Sequence, residues 1–457
     1  MSVVMNFFKY ILEYARYKIR FYRTKRYFLL DRSNDMSNDI MRHYQDDYES
    51  NRDYDKRCNY IKHLYKKIHI LRTSICNIGP LCIYYLYIDE LLKKLPKSEK
   101  VLLMLYEGDE FLLSENSKYI SNKFIYKKIS EAVEIIDEKN VSFWAYAIKN
   151  ENAIFDFDWL MVHYPGLLPH EKVYHVDGAV RPEHNYMVYT LNEENEGKDL
   201  LGKLNLQAGG YCCIFSRNNE YYEKYFNNTG SKDAEITSLR NSDLSRFCKA
   251  VDALNEYGVA SVRVGAVDSR KSYEKMIDYT NTCRSEFGDF FLMGKAKFVI
   301  GDNSGILMIP WLQNVPIGVT NNYTILWMVG NELNYNTRQV FTIYKKWYDT
   351  KLGRYLTLKE IMEYQRKYGM TDELQIGFLS SLGINFHDNT EDEIADLAIE
   401  INLRIDGKWV EKNEFVDLRN KFWEIVNEYI KYSSKYLCLL DYQPGSLFLK
   451  RNRWFLD

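Results

Sequence analysis

An apolar run at residues 296–300 gives way to Gly301-Asp302-Asn303-Ser304-Gly305, and a second apolar run follows at 306–313. That is the spacing of a strand, a tight turn and a helix start. The first N–H groups of a helix have no partner within it and carry the positive end of its dipole, so such a start can hold phosphate. Glycine lets the backbone approach a ligand, and Asn303 and Ser304 add hydrogen bonds. The same residues also fit a plain turn with Asn303 or Ser304 as N-cap. There is no Gly-Lys-Ser/Thr ending, which excludes a Walker loop, and the spacing from Gly301 to Ser304 excludes a Gly-x-Ser-x-Gly elbow.

Arg217 follows an apolar run at 211–216. A guanidinium at the carboxyl edge of a sheet can grip a diphosphate through paired hydrogen bonds, whereas an arginine after a strand is otherwise simply solvated. Arg263 lies inside the apolar run that ends at Gly265. Buried arginine is rare without a partner. Arg263 therefore reads either as a phosphate or supporting residue, or as half of a salt bridge to a carboxylate such as Asp289.

Asp156-Phe157-Asp158 and Asp53-Tyr54-Asp55 have the form that can hold a divalent metal against a diphosphate, but a chain rich in Asp produces such triplets by composition. His163, His170, His175 and His184 lack the spacing of a zinc helix. One of them could act as a general base near neutral pH, and all four also fit structural roles. No metal is expected.

These residues need a scaffold, and the hydrophobic pattern supplies one. Residues 68–71 and 101–106 read as strands, 81–94 and 122–139 as helices. A second alternating series has strands at 209–217, 259–265, 296–300 and 316–320 and helices at 243–257, 287–295 and 306–313, with Gly258 closing the first of these. From 346 onward the pattern is mostly helical, with helices at 357–368 and 391–405. Strands alternating with helices indicate parallel sheets, whose ligands bind beyond the carboxyl ends of the strands. The expected division is a basic helix and connector (1–60), two Rossmann-like units (61–206 and 207–345) and a helical C-terminal region (346–457).

The 457 residues carry 61 Lys+Arg and 63 Asp+Glu, a net charge of -2 that argues against a general nucleic-acid binder. The 46% hydrophobic content excludes extended disorder. The 39 tyrosines, with abundant Lys, Asn and Ile, read as the mark of an AT-rich genome. The eight cysteines form no CxxC pair and suit buried positions in a reducing compartment. No stretch approaches the roughly 20 apolar residues that span a bilayer, and no cleavable signal is evident, so a cytoplasmic protein is expected. Residues 1–30 carry a net +6, leaving -8 for the other 427. Phe8, Leu12, Ala15, Ile19 and Tyr22 add an apolar stripe at helical spacing. This segment fits a helix on the anionic inner membrane face, and equally a helix packed on the protein body.

The chemistry-bearing pieces follow an order. The strand ending in Arg217 precedes Leu239-Arg240-Asn241-Ser242-Asp243, then Gly258 with Ser261-Val262-Arg263-Val264-Gly265, then Ile277-Asp278-Tyr279. Arg284-Ser285-Glu286-Phe287-Gly288-Asp289-Phe290-Phe291-Leu292 comes next, then Phe298-Val299-Ile300-Gly301-Asp302-Asn303-Ser304-Gly305, and Pro316 with Thr320-Asn321. This series resembles a family of bacterial glycosyltransferases with a GT-B fold, distantly similar to fucosyltransferases. Asn77-Ile78-Gly79, Arg354-Tyr355-Leu356-Thr357-Leu358-Lys359-Glu360 and the segment 445–449 resemble it too.

The resemblance implies two Rossmann-like domains facing a cleft, an α/β architecture with the donor in the second domain and no metal requirement. It implies a donor site built from Arg217, Arg263, Gly265, Asp289, Asp302, Asn303, Ser304 and Gly305, with Arg217 on the donor diphosphate and stabilising the leaving group. Asn77 and Gly79 would face the acceptor. No cofactor is implied, since the nucleotide-sugar, GDP-linked among the options, is a substrate. The partners implied are that donor and a glycan, glycolipid or protein acceptor. Phe215-Ser216-Arg217-Asn218 lacks the His and second Arg usual in the fucosyltransferase strand, which counts against GDP-fucose while leaving the diphosphate role intact. A nucleotide-sugar epimerase or hydrolase on the same fold, and a non-catalytic glycan-binding relative, are the alternatives.

Overall fold

The computed structural model describes residues 67–74, 77–94, 96–106, 120–137, 154–156, 187–226, 239–325, 339–368, 382–430 and 442–457. The basic segment 1–30, the Asp53–Asp55 triplet, Asp158 and the four histidines between 163 and 184 lie outside the described residues.

The first unit contains β1 (Lys67–Ser74), α1 (Ile78–Lys94), β2 (Glu99–Tyr106), α2 (Lys123–Ala132), β3 (Glu134–Asp137) and β4 (Ile154–Asp156). Its strands are all parallel, in the order β3-β2-β1-β4. Two sequence expectations shift here. The helix expected over 81–94 starts earlier, at Ile78, and takes in Pro80. The proline sits in the first helical turn, where no intrahelical N–H is required of it. The helix expected over 122–139 ends at Ala132, because Val133 turns extended and Ile135-Ile136 go into β3. Asn122 caps α2, its Oδ1 accepting from the Phe124 and Ile125 N–H groups at 3.0 and 3.1 Å.

Before the second sheet comes α3 (Leu191–Lys203), a helix that the hydrophobic pattern did not mark. Its start is a capping box, Thr190 Oγ1 accepting from the Glu193 N–H and Glu193 Oε2 from the Thr190 N–H. Then come β5 (Tyr211–Phe215), α4 (Glu220–Phe226), a 3-10 turn (Leu244–Phe247), α5 (Cys248–Glu256), β6 (Ala260–Arg263), β7 (Met276–Asp278), α6 (Tyr279–Thr282) and α7 (Glu286–Lys295). They are followed by β8 (Phe298–Asp302), a 3-10 turn (Gly305–Leu307), α8 (Met308–Leu312), β9 (Ile317–Asn322) and β10 (Val340–Tyr344). Gly258 has φ +72°, the left-handed conformation a helix-closing glycine supplies.

The C-terminal residues are less purely helical than the pattern suggests. They contain β11 (Lys346–Asp349), β12 (Arg354–Tyr355), α9 (Leu358–Tyr368), β13 (Ile384–His387), α10 (Glu391–Ile405), α11 (Asn413–Ile430), β14 (Gln443–Pro444) and α12 (Ser446–Arg451). Strands β12, β11 and β13 form a small antiparallel sheet whose elements are two to four residues long, too short for a period to register.

The second sheet is entirely parallel, in the order β14-β10-β9-β8-β5-β6-β7. Read outward from β5, the chain lays β6 and β7 to one side, then returns and lays β8, β9 and β10 to the other. That is the strand order of a Rossmann sheet, and the reversal between β5 and β8 is its topological switch point. Every residue of β8 and β9 is buried, as expected for parallel strands covered on both faces. The C-terminal residues belong to the same body: β14 extends this sheet, and Ile401 of α10 packs on Gly318 of β9.

The two units touch through α1 and α2. A Cβ on Gly79 would lie 3.2 Å from the Gly305 Cα, and one on Gly305 would lie 3.0 Å from the Gly79 nitrogen, so two backbones meet there. Phe124 of α2 packs its ring 5.3 Å from both Phe287 and Phe290 of α7, and Asn122 Nδ2 donates to the Glu286 carbonyl at 3.1 Å.

Helix α3 offers a test of its contact with α7. A Cβ on Gly197 would overlap the Phe291 ring, whereas one on Gly202 of the same helix would meet nothing within 4 Å. Gly→Ala in an open helical position gains about 1 kcal/mol, while overpacking costs about 1–3 kcal/mol. Urea denaturation should therefore show Gly202→Ala stabilised and Gly197→Ala destabilised.

Candidate nucleotide site at the carboxyl edge

At the switch point the carboxyl ends of β5, β8 and β9 converge on Asp302, the last residue of β8 and fully buried. Oδ2 accepts from the Arg217 main-chain N–H at 2.8 Å and from Ser242 Oγ at 2.5 Å. Oδ1 accepts from Thr320 Oγ1 at 3.0 Å and from Asn321 Nδ2 at 2.8 Å. Burial pushes the Asp302 pKa up, and the bonds from Asn321, Ser242 and Arg217 together with the Lys345 charge pull against that shift. With both oxygens filled, Asp302 ties the ends of β5, β8 and β9 together.

The side chain of Arg217 is held separately. It is 4% exposed, and its Nη1 donates to Asn241 Oδ1 at 2.5 Å. Asn241 is fixed in turn by Asn219, at 2.7 Å. Beside it, Asn303 donates Nδ2 to Asn322 at 3.0 Å and offers its carbonyl to Arg240 Nε at 3.0 Å. The remaining Asn303 amide atom is buried without a hydrogen-bond partner. Ser304 occupies the cap position of the 3-10 turn yet makes no side-chain capping bond. The plain capped turn that the sequence allowed is therefore not what forms: both candidate caps keep a polar atom uncommitted to the turn.

Other candidates separate from this group. Arg263 is buried as half of an ion pair, but the partner is not Asp289. Its Nη2 lies 2.6 Å from Asp268 Oδ1, its Nη1 reaches Asp278 at 3.5 Å, and both nitrogens also donate to the carbonyls of Asp268 and Arg270. Asp268 is shared with Arg270, which bonds it at 2.8 and 2.7 Å and reaches on to the Ser216 and Ser242 carbonyls, each at 2.7 Å. Burial would raise the Asp268 pKa, but the two guanidinium groups more than offset this and hold it low. Gly265 follows β6 at φ +145°, with the Phe215 ring 3.5 Å from where a Cβ would stand.

Asp289 pairs instead with Arg284 Nη2 at 2.7 Å, in the first turn of α7. Burial raises its pKa to about 6, outweighing the Arg284 attraction. Asn77 stands before α1, its carbonyl accepting the Leu81 N–H at 3.4 Å, and Gly79 abuts Gly305 as described. Asp156 closes β4. Among the described residues no group of three His, Cys, Asp or Glu is placed to hold a metal ion, and no helix is long and apolar enough to cross a membrane. Of the cysteines described, Cys82, Cys212 and Cys213 are buried, while Cys283 is exposed.

Sequence reasoning passed over Arg270, Lys345, Asn389 and Asp388. Asn389 exchanges two 2.7 Å hydrogen bonds with Asn321, whose φ of +50° is a conformation asparagine tolerates. Lys345 interrupts two strands with a charge, a signal that was present in the sequence. Arg270 and Asn389 lie in loops and carry none.

No protein-family model matches the chain, and no curated protein matches it in sequence. Among solved structures it is similar to a glycosyltransferase family 9 protein from Veillonella parvula DSM 2008, with a TM-score of 0.41 and 12% identity over 75% of this chain and 98% of that one. It is similar to the ADP-heptose lipopolysaccharide heptosyltransferase II of E. coli, with a TM-score of 0.37 and 10% identity over 61% of this chain and 90% of that one. A further likeness is to an E. coli heptosyltransferase with ADP, with a TM-score of 0.32 and 12% identity over 61% of this chain and 90% of that one. No similarity to a fucosyltransferase is shown by these comparisons. Likeness of this degree fixes no activity, and the Rossmann order described above rests on the chain's own strand pairing.

Two outcomes follow from the buried carboxylates. Asp302→Ala leaves four donors without their acceptor and should cost about 3 kcal/mol or more in chemical denaturation. For Asp289, a folded pKa of about 6 lies above the ordinary 3.8, so the folded state binds the extra proton between those values. Stability from this group is present below about pH 4 and lost as pH rises toward 6. Melting curves of Asp289→Asn should accordingly gain on the wild type across that window. A constant difference would show that Asp289 does not titrate there.

Proposed function

We propose that the protein is a metal-independent glycosyltransferase of the GT-B type, moving a sugar from a nucleotide-sugar donor to an acceptor hydroxyl on a surface glycan, glycolipid or protein. The observation that carries this reading is that Arg217 and Asn303-Ser304-Gly305 follow the neighbouring strands β5 and β8 at the switch point of a Rossmann-ordered sheet, where such sheets bind nucleotides. As the bond from the sugar to the diphosphate breaks, negative charge gathers on the leaving phosphate. A guanidinium and polar groups held in place beforehand stabilise that charge without reorganising. Arg217 meets this requirement, since Asn241 fixes its head and Asp302 fixes its backbone.

In this reading Asp289 and Gly265 shape the donor side, Arg263 supports it from beneath, and Asn77 and Gly79 border the acceptor side. The basic segment 1–30 is the route by which the enzyme reaches a lipid-borne acceptor at the inner membrane face.

A thermal-shift screen with ADP, GDP, UDP and their sugars tests the reading, because a ligand at a hundred times its Kd adds about 2.7 kcal/mol to the native state. At least one should raise the melting temperature, and no shift with any of them overturns the proposal. Arg217→Ala should abolish that shift and lower kcat about 10²–10³-fold. Its fold should persist, because the main-chain bond to Asp302 remains.

A further inference from the structure

Lys345 joins β10 to β11, next to the end of β9. It is 4% exposed, far below what a lysine ordinarily shows. Its ammonium pairs with Asp388, which is 29% exposed, and lies 3.4 Å from the Asn241 carbonyl. Asn241 is the residue whose side chain holds the Arg217 guanidinium. One asparagine thus carries a cation at each end, the arginine on its side-chain oxygen and the lysine on its main-chain oxygen. The charge of Lys345 also reaches Asp302, at the centre of the switch point.

The two partners of Lys345 differ in kind. Asn241 is tied into the site by Asn219 and Arg217, whereas Asp388 comes from the loop between β13 and α10 and is the more solvated member of its pair. Asn389, the next residue, is locked by Asn321 and by the Tyr344 carbonyl at 2.8 Å. The backbone at Asp388 is therefore fixed, while its carboxylate can exchange water for the ammonium by rotating its side chain. An anion held this way beside a buried cation has the charge and hydrogen-bonding pattern of a phosphate oxygen.

We infer that Lys345 is a second cation for the donor diphosphate and that the Asp388 carboxylate occupies its ammonium until a phosphate displaces it. The inference rests on the nucleotide-sugar reading of the same edge and adds a residue to it. It has a consequence that a purely structural ion pair lacks. Removing the cation weakens diphosphate binding, and removing the competing carboxylate strengthens it.

Isothermal titration of the full chain with ADP, GDP, UDP and inorganic pyrophosphate tests this. Lys345→Gln should raise the Kd for the diphosphate that binds by about tenfold or more, and Lys345→Arg should recover part of the loss. Asp388→Asn should lower the same Kd by about threefold to tenfold, and its gain should shrink at high salt. Asp388→Asn stands as an independent test should Lys345→Gln fail to fold. If the wild type binds a diphosphate and Asp388→Asn leaves that Kd unchanged or raises it, the assignment of this pair fails while the nucleotide reading stands. If the wild type binds none of the four ligands, both fall together.

Discussion

The carboxylate of Asp302 is the constraint on which the carboxyl edge of the second sheet depends. Strand pairing fixes β5, β8 and β9 side by side but says nothing about how their ends turn away from the sheet. One buried anion with two oxygens settles that by accepting from a main-chain N–H after β5, a hydroxyl in the loop at Ser242, and two side chains on β9. A buried carboxylate is tolerable here because its desolvation is met chiefly by hydrogen bonds, with the Lys345 charge adding to them. Arg217 leaves the sheet where it does because its own backbone is one of those donors.

The sequence made this edge legible only in part. Gly301 to Gly305 and Arg217 stand out because apolar strands end abruptly at polar residues, and the structure brings both to the reversal between β5 and β8. Arg263 was singled out correctly as a buried arginine in need of a carboxylate, but its partners are Asp268 and Asp278. Neither could be preferred over Asp289 from spacing, since side chains meet across loops whose path periodicity does not encode. Asp302 is expected to belong to the donor site with the rest of its turn, and only its hydrogen bonds show that it joins three strand ends. In the fold, the long buried strands were clear. The run 122–139 misled because Ala132 and Ile135 continue an apolar pattern through a change of backbone.

Contact between the units is equally specific. Gly79 and Gly305 bring two backbones together because neither carries a Cβ, and the rings of Phe124, Phe287 and Phe290 bury apolar surface alongside. The turn 301–305 thus has a neighbour from the first unit at its last position. Whatever occupies the edge near Ser304 does so within reach of the start of α1.

Strand β14 has a bearing on how the protein is made. The second sheet begins at Tyr211 and receives its outermost strand from Gln443 and Pro444, while α10 packs on β9 through Ile401 and Gly318, 83 residues apart. Chain emerging from a ribosome exposes β10 long before the residues that cover its edge exist. Until then a parallel edge rich in Val, Phe and Ile stands open, and pairing across such a separation closes slowly. The stretch between β10 and β14 is therefore the interval in which the unfinished sheet keeps an open, aggregation-prone edge.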